Sequence, residues 1–361
     1  MLHLTVPAAP GDNAVGAGVR PGPPVGELVG DSPHAERALH AFLISCPSAI
    51  NQEDRSGLTG AHDWVEPCRA ARRWPASDAR AFFARHFVAV EVGEGRAFAT
   101  GYYEPEIPAS RTRRPGFEYP FYGRPSDLVE RPQSRAADHS GLPSVGRAVD
   151  GELVAYYDRA AIEAGALAGQ ELEIAWARDP VDVFFLQVQG SGVLRLPDGS
   201  IMRVGYAGNN GYDYVSIGAV LRERGALEPG ETTAQGIAAW LRAHPGEARE
   251  VMNANRRYIF MAETGDPAPG GSLGRYVTAR ATVAVDWNYA PPGAPVILDV
   301  DQDIADGVWI AQDTGGAIRG PNRFDTFWGT GAEAFRIAGG MAGRGRAWVL
   351  IPRAAARLPG F

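Results

Sequence analysis

Residues 311–329 of the chain read AQDTGGAIRGPNRFDTFWG. Asp313 ends an apolar, strand-like run, and Asp325 stands among aromatic side chains. A carboxyl group surrounded by rings loses hydration, which disfavours the anion and raises the pKa toward the working range of a general acid. Turn chemistry is the alternative, because Asp before Gly or Thr often accepts hydrogen bonds from local N–H groups. Both residues are therefore candidate catalytic groups that spacing alone does not separate from turn residues.

A third candidate, Asp286, follows the apolar run of residues 277–285. A short acidic side chain at the end of such a run can be directed into a cleft. The chain has no histidine after His244, so a Ser-His-Asp triad cannot take its base from this part. Chemistry located here has to use carboxylates.

Composition excludes several classes of function. The length of 361 residues predicts roughly two domains. The chain contains no lysine, which excludes the phosphate-binding P-loop, a pyridoxal Schiff base and any lysine nucleophile. Its net charge of −7 argues against nucleic-acid binding, and no apolar run approaches the roughly 18 residues of a membrane span. We predict no cofactor.

Metal binding is not predicted either. The two Cys and seven His form neither a C-x-x-C nor an H-E-x-x-H pattern. The acidic segment 299–303 begins like a calcium loop, but Ile304 replaces the required Gly and Ile310 the required Glu. We interpret this segment as a solvated acidic turn.

The pattern of residues predicts a mostly β protein with peripheral helices. The 45 glycines and 28 prolines favour short strands joined by turns, such as the hairpin at Pro197-Asp198-Gly199. Helical periodicity covers residues 34–47, 77–90, 216–226, 232–243, 246–254 and 331–338. Strands are predicted at 97–103, 154–157, 172–176, across 181–208, and at 257–261, 277–285, 296–300, 308–312 and 347–351.

Three segments combine aromatic rings with amides or hydroxyls, the groups that bind sugars: residues 100–105, 184–192 and 206–214. The second segment is interpreted as a buried strand. For any single residue here a structural role is the alternative. The candidate substrate-binding residues are Thr100, Tyr103, Gln187, Gln189, Ser191, Tyr206, Asn210 and Tyr214.

The two cysteines, Cys46 and Cys68, could form a disulfide in an oxidising compartment or remain buried free thiols. Residues 1–34 are predicted to be a disordered leader, and no signal peptide is visible in this numbering. Residues 43–46 have the shape of a lipoprotein cleavage box. The charged, helical stretch before them argues against lipidation.

The chain resembles the membrane-bound lytic murein transglycosylase A family from about residue 35 to 352. Its last motif and Asp286 are similar to the three-aspartate domain of that group. The resemblance rests on TGYYEPEIPAS, DVFFLQVQGSG, GYAGNNGYDYVSIG, RRYIFM and AQDTGGAIRGPNRFDTFWG, which start at residues 100, 182, 205, 256 and 311.

This resemblance implies a double-psi β-barrel domain, residues 35–104 plus 250–361. A second β-barrel, residues 105–249, would be inserted into it, with a substrate groove between the two. The family's catalytic acid corresponds to Asp325, and Asp313 and Asp286 would support it in the same cleft.

The implied activity is that of a peptidoglycan lytic exotransglycosylase. It would cleave the β-1,4 bond between N-acetylmuramic acid and N-acetylglucosamine, with one Asp as acid and base and a 1,6-anhydromuramyl product. A muramidase-type hydrolase and a non-catalytic peptidoglycan-binding protein are the alternatives. We expect a monomer in the periplasm or at the outer membrane whose partners are peptidoglycan strands and other cell-wall enzymes.

Overall fold

A computed structural model of the chain describes residues 11–30, 33–131, 144–265 and 268–357. The chain divides into two compact units. Unit 1 comprises Met1–Tyr103, Gly270–Gly329 and Gly340–Phe361. Unit 2 comprises Glu104–Pro269 and Thr330–Gly339.

Strands make up 31% of the structure and helices 32%, so the fold is mixed, with nearly equal shares of the two. The strands, in chain order, are β1 (Val19–Pro21), β2 (Phe87–Val92), β3 (Arg96–Glu104), β4 (Glu106–Ser110), β5 (Tyr119–Tyr122), β6 (Val129–Glu130), β7 (Val145–Val149), β8 (Glu152–Ala155), β9 (Glu173–Ala177), β10 (Ser191–Arg195), β11 (Ile201–Asn209), β12 (Ile259–Thr264), β13 (Thr282–Ala284), β14 (Pro295–Val300), β15 (Gly307–Asp313), β16 (Arg323–Thr330) and β17 (Ala342–Pro352).

The α-helices, in the same order, are α1 (Ala14–Ala17), α2 (Val25–Leu28), α3 (Pro33–Ala49), α4 (Val65–Ala71), α5 (Ala79–His86), α6 (Arg159–Glu163), α7 (Pro180–Gln189), α8 (Ile217–Glu223), α9 (Ala234–Ala243), α10 (Pro245–Ala254) and α11 (Gly331–Gly340). Short 3-10 turns lie at Ala61–Trp64, Ala76–Asp78, Pro229–Glu231, Asp303–Ala305 and Ala355–Arg357.

A closed ring of six strands forms the centre of unit 1. The sheet runs β1-β2-β17-β14-β15-β13-β16-β3, and β3 also pairs with β17, which closes the ring from β17 to β3. Closure removes free sheet edges. Within this ring β13 and β15 pair in parallel, β16 pairs antiparallel with β13, and β14 pairs antiparallel with both β15 and β17. A six-stranded ring with both pairing modes is consistent with the expected double-psi β-barrel.

Residues 11–30 correct the prediction of a disordered leader. Strand β1 extends the barrel sheet, with Val19 aligned with Val92 of β2. The helix before it, α1, begins at Asn13, whose Oδ1 accepts a hydrogen bond from the Gly16 N–H. These backbone groups are satisfied by the sheet and the cap, which gives this stretch a fixed structure. The remaining leader residues, 1–10, 31 and 32, lie outside the described residues.

A helical layer covers one face of this barrel. Helix α3 packs against β15, and aromatic rings pack behind it, with Phe42 and Phe87 at 5.6 Å between ring centroids. The helix predicted for residues 77–90 ends at His86, because the following residues form β2 and pair with β17. A disulfide joins Cys46 of α3 to Cys68 of α4.

Unit 2 contains a six-stranded sheet in the order β12-β11-β10-β4-β9-β5. The end strands β5 and β12 also contact each other. The predicted inserted domain ends at residue 249. Unit 2 extends to Pro269 instead, because β12 pairs with β11. The small sheet β6-β7-β8 lies in the same unit. The hairpin at Pro197-Asp198-Gly199 joins β10 to β11, as predicted.

The predicted strand over residues 184–192 is wrong for its first part, since residues 180–189 form helix α7. Asp179 caps its start by accepting a hydrogen bond from the Val181 N–H at 2.9 Å, and Pro180 occupies its first turn. Gly190 ends the helix with a φ of +83°, a left-handed conformation that glycine adopts without strain. Most of its apolar residues are buried, which hides the helical period.

We expect loss of the disulfide to destabilise unit 1. Cys46 and Cys68 are 22 residues apart, and a loop of this length restricts the unfolded chain by about 3 kcal/mol. Thermal unfolding of the Cys46→Ser/Cys68→Ser variant should therefore show a lower midpoint than wild type. Reductant should lower the midpoint of wild type and leave that of the variant unchanged; equal midpoints for both proteins would contradict the prediction.

Candidate active site

Pairing within the barrel of unit 1 places two acidic residues on either side of one strand. Ala284, the last residue of β13, is aligned with Asp313 of β15 and with Asp325 of β16. Neighbouring strands lie about 4.8 Å apart, so the two backbones are separated by about 10 Å. The sheet therefore brings together two carboxyls that the sequence singled out separately.

Among the residues that the structure describes, one group donates a hydrogen bond to Asp325, whose carboxyl is largely desolvated. The Thr100 hydroxyl donates a hydrogen bond to its Oδ1 at 2.6 Å. Burial raises the pKa of Asp325 to about 6, against the opposing effects of Thr100 and the positive charge of Arg323, and the negative charge of Asp313 raises it further. A carboxyl with such a pKa holds a proton in mildly acidic solution and can transfer it.

The Asp313 carboxylate accepts more hydrogen bonds than that of Asp325. Its Oδ1 accepts hydrogen bonds from the Ser272 N–H at 2.9 Å, the Ser272 hydroxyl at 2.8 Å and the Thr314 N–H at 2.9 Å. Its Oδ2 accepts one from the Tyr102 hydroxyl at 2.9 Å. Burial raises the pKa of Asp313, and these four donors oppose that rise by stabilising the anion. The two carboxyls therefore differ mainly in how many donors they receive.

The third candidate, Asp286, is buried and bonded to backbone. Its Oδ1 accepts from the Asn288 N–H at 3.0 Å, and its Oδ2 accepts from the Gly320 N–H at 3.0 Å. Gly320 belongs to the loop that joins β15 to β16. Asp286 therefore fixes the loop between the other two acidic residues, and its hydrogen bonds go to neither of them.

Two residues next to the carboxyls were missed by the sequence analysis, Tyr102 and Arg323. Tyr102 packs its ring on Phe327, with 5.0 Å between ring centroids, while its hydroxyl binds Asp313. Arg323 donates from Nη2 to the Thr100 hydroxyl at 2.9 Å, and its guanidinium lies 4.8 Å from the ring centre of Phe98. Arg323 stands two residues before Asp325, which was the available signal, because alternate residues of a strand share a face.

Thr100, Gln187 and Asn210 all form hydrogen bonds within the protein, and their contact with substrate stays a prediction. Thr100 binds the Asp325 carboxyl. Gln187 is buried on α7, and its Oε1 accepts from Arg159 Nη1 at 2.7 Å. Asn210 is buried as well, donating from Nδ2 to two backbone carbonyls and accepting from the Tyr258 N–H at 2.8 Å. These bonds give the three side chains structural or positioning roles.

The other predicted binding residues differ in exposure. Tyr206 on β11 is 55% exposed, and its hydroxyl accepts a hydrogen bond from Asn209 Nδ2 at 2.5 Å. Tyr103 is buried. The rest are partly exposed: Gln189 at the end of α7, Ser191 at the start of β10, and Tyr214. Tyr206 presents the largest aromatic surface of this set to solvent.

Within the described ranges, no three His, Cys, Asp or Glu side chains are grouped so that they could hold a metal ion. Asp301, from the calcium-like segment, accepts a hydrogen bond from the Arg344 N–H at 2.7 Å instead. Among the described helices, we find none that combines the length and the apolar character of a membrane span. What the site offers chemically is a carboxyl with a raised pKa, Asp325, beside Asp313, which accepts four hydrogen bonds.

Two family descriptions match the chain. Residues 98–262 match "MltA specific insert domain", and residues 281–351 match "3D domain". The chain is 32% identical over 268 residues to a membrane-bound lytic murein transglycosylase A of Vibrio cholerae. That alignment covers 71% of this chain and 66% of the relative's length.

Solved structures agree with these matches. The fold is similar to the crystal structure of a membrane-bound lytic murein transglycosylase from Agrobacterium tumefaciens, with a TM-score of 0.82 and 32% identity over 94% of this chain and 98% of that one. It is also similar to Escherichia coli MltA with bound chitohexaose, with a TM-score of 0.64 and 29% identity over 90% and 91% of the two chains.

The pH dependence of stability should report the raised pKa of Asp325. A carboxyl whose pKa is higher in the folded than in the unfolded state stabilises the fold at low pH, and this contribution is lost as pH rises from about 4 through about 6. We therefore expect the midpoint of Asp325→Asn, relative to wild type, to increase from pH 4 to pH 8. The matched control is exposed Asp299→Asn; an equal trend in both variants would contradict the assignment.

Removal of the Asp286 carboxylate should chiefly affect stability. In Asp286→Ala the Gly320 and Asn288 N–H groups lose their partner, at a cost of about 1–3 kcal/mol in the free energy of unfolding. Denaturant titrations of this variant and of Asp299→Ala, an exposed control, measure the difference. A stability equal to wild type would show that the loop does not depend on Asp286.

Proposed function

Because the chain belongs to the membrane-bound lytic murein transglycosylase A family, we propose that it cleaves the glycan strands of peptidoglycan. The bond cleaved would be the β-1,4 bond between N-acetylmuramic acid and N-acetylglucosamine. The observation that carries the proposal is the raised pKa of Asp325 beside the hydrogen-bonded Asp313. The names of the relatives support the same reaction class.

In the proposed mechanism Asp325 first acts as a general acid. Its proton passes to the glycosidic oxygen as the bond to C1 of the muramic acid breaks, so that the N-acetylglucosamine leaves with a free hydroxyl. The C6 hydroxyl of the same muramic acid then attacks C1, and its proton passes to the Asp325 carboxylate. A 1,6-anhydro ring forms, no water is consumed, and the acid is restored. The internal hydroxyl is favoured because it is held at a high effective concentration, of the order of 10⁵ M or more.

Asp313 would support this reaction as an anion. Its negative charge raises the pKa of Asp325 and would favour the positive charge that develops on the sugar ring. An inverting muramidase would instead need a second carboxylate to take a proton from water. Three donors already occupy Oδ1 of Asp313 and one occupies Oδ2, which weakens it as a base. This hydrogen bonding favours the single-acid transglycosylase over the hydrolase.

Unit 2 would contribute to binding the glycan. Tyr206 has an exposed ring that suits the C–H face of a sugar, and Gln189, Ser191 and Tyr214 are partly exposed. The related Escherichia coli MltA has been solved with chitohexaose, an amino-sugar oligomer. Contact of these four residues with substrate stays a prediction.

We place the protein in the cell envelope, where its substrate lies. The relatives are named as membrane-bound, and the disulfide between Cys46 and Cys68 is typical of proteins that mature in an oxidising compartment. Attachment to the outer membrane remains a prediction.

Replacement of Asp325 tests the proposed reaction. Asp325→Ala removes the acid, so we expect purified peptidoglycan to remain undigested, while wild type and the exposed control Asp299→Ala release muropeptides. Mass spectrometry distinguishes the products, because anhydro ends are one water lighter than reducing ends. Reducing ends would support the hydrolase, and absence of products from wild type would support the binding protein.

The pH profile provides a further test. A general acid has to be protonated, so kcat/KM of wild type should fall as the pH rises through about 6. Rates of product release measured between about pH 4 and pH 8 show at which pH kcat/KM falls. A rate that keeps rising across the same range would contradict a role of Asp325 as the acid.

A further inference from the structure

We propose that Arg323 is a positioning residue that acts through Thr100 to decide which oxygen of Asp325 carries the transferable proton. In this arrangement the transferable proton of Asp325 lies on Oδ2 and not on Oδ1. This inference rests on the proposed role of Asp325 as the general acid, and it specifies the atom that acts.

Arg323, Thr100 and Asp325 form a row of three hydrogen-bonded polar groups. Arg323 Nη2 lies 2.9 Å from the Thr100 hydroxyl oxygen, which in turn lies 2.6 Å from Asp325 Oδ1. A guanidinium only donates hydrogen bonds, so the Thr100 oxygen has to accept from Arg323. The single hydroxyl proton of Thr100 is then left for an acceptor. Asp325 Oδ1 at 2.6 Å is a much better acceptor than the Phe324 carbonyl oxygen at 3.5 Å.

The direction of this hydrogen bond fixes the protonation of Asp325. A proton on Oδ1 would compete with the Thr100 proton for the space between the same two oxygens. The neutral carboxyl therefore carries its proton on Oδ2. Within the described part of the chain Oδ2 has no hydrogen-bond partner in the protein, so its proton is available to a substrate oxygen.

The charges facing Asp325 agree with this arrangement. Arg323 on the same strand stabilises the anion, and Asp313 on β15 destabilises it. Tyr102, on β3, directs its hydroxyl to Asp313 and gives Asp325 no hydrogen bond. Thr100 and Arg323 are therefore the groups that hold the pKa of Asp325 down. Loss of either one should raise the pKa of Asp325. The charge of Arg323 acts on the carboxylate directly as well, so in the absence of the Thr100 hydroxyl loss of Arg323 should have a smaller effect that does not vanish.

The experiment follows the carboxyl of Asp325 directly, by NMR titration of protein labelled with ¹³C at the Asp carboxyls; the signal that Asp325→Asn removes gives the assignment. In Thr100→Val and in Arg323→Met we expect the midpoint to rise by about one pH unit. Thr100→Ser retains the hydroxyl and should restore the wild-type midpoint. In the Thr100→Val background, Arg323→Met should shift the midpoint by half as much or less.

Kinetics give the second readout. With the proton free to occupy either oxygen, about half of the protonated carboxyls carry it on Oδ2, so kcat at low pH should fall about twofold in Thr100→Val and in Arg323→Met. The basic limb of the pH–rate profile should move to higher pH, and KM should change little. Thr100→Ser should again recover wild-type behaviour. Thr112→Val and Arg72→Met change exposed residues away from the site and serve as controls, and thermal midpoints check that each variant is folded.

An unchanged midpoint in Thr100→Val, or an effect of Arg323→Met that is equally large with and without the Thr100 hydroxyl, would overturn the inference. The titration does not depend on turnover. A wild-type protein that forms no anhydro product would reject the proposed function, while the NMR midpoints would still decide whether Arg323 acts on Asp325 through Thr100.

Discussion

The alignment of Ala284 with both Asp313 and Asp325 is the constraint on which the site depends. Strand β13 is parallel to one neighbour and antiparallel to the other, so the end of β15 and the interior of β16 meet at the same level. A shift of one residue in either pairing would turn a carboxyl to the opposite face of the sheet. Closure of the barrel opposes such shifts, because each strand is held on both sides. The hydrogen bond from the Gly320 N–H to Asp286 also holds the β15–β16 loop in place.

Given that alignment, hydrogen bonding separates the two carboxyls. Within the described ranges, four groups donate hydrogen bonds to Asp313 and one to Asp325, although both carboxyls lie in poorly hydrated surroundings. Unequal numbers of donors are a general way to give two nearby carboxyls different proton affinities. Tyr102 and Thr100, which supply one donor to each carboxyl, both lie on β3, while the three further donors to Asp313 come from Ser272 and Thr314. One strand therefore tunes both acids.

Unit 2 uses buried polar groups for a different purpose. Arg159 is almost fully buried, where its guanidinium donates to Gln187 and to the backbone carbonyls of Asn255 and Arg257. Asn210 satisfies the neighbouring backbone, including the N–H of Tyr258. A buried charge is tolerated only when its donors are satisfied, so this network fixes the conformation of the segments that it joins. Amides that resemble a sugar-binding set in the sequence are in part this internal scaffold.

How much the sequence determines can be seen at particular residues. The aromatic surroundings of Asp325 were enough to predict a raised pKa, and the family motifs were enough to predict the barrel and the reaction class, because both depend on residue types at fixed local spacing. Helix α7 was missed because its apolar residues mask the period, although the cap at Asp179 and the stop at Gly190 were readable. The donors that Thr100 and Tyr102 supply come from more than 200 residues away. Only tertiary structure could decide them, since hydrogen bonds between distant strands depend on pairing and register, which local spacing does not encode.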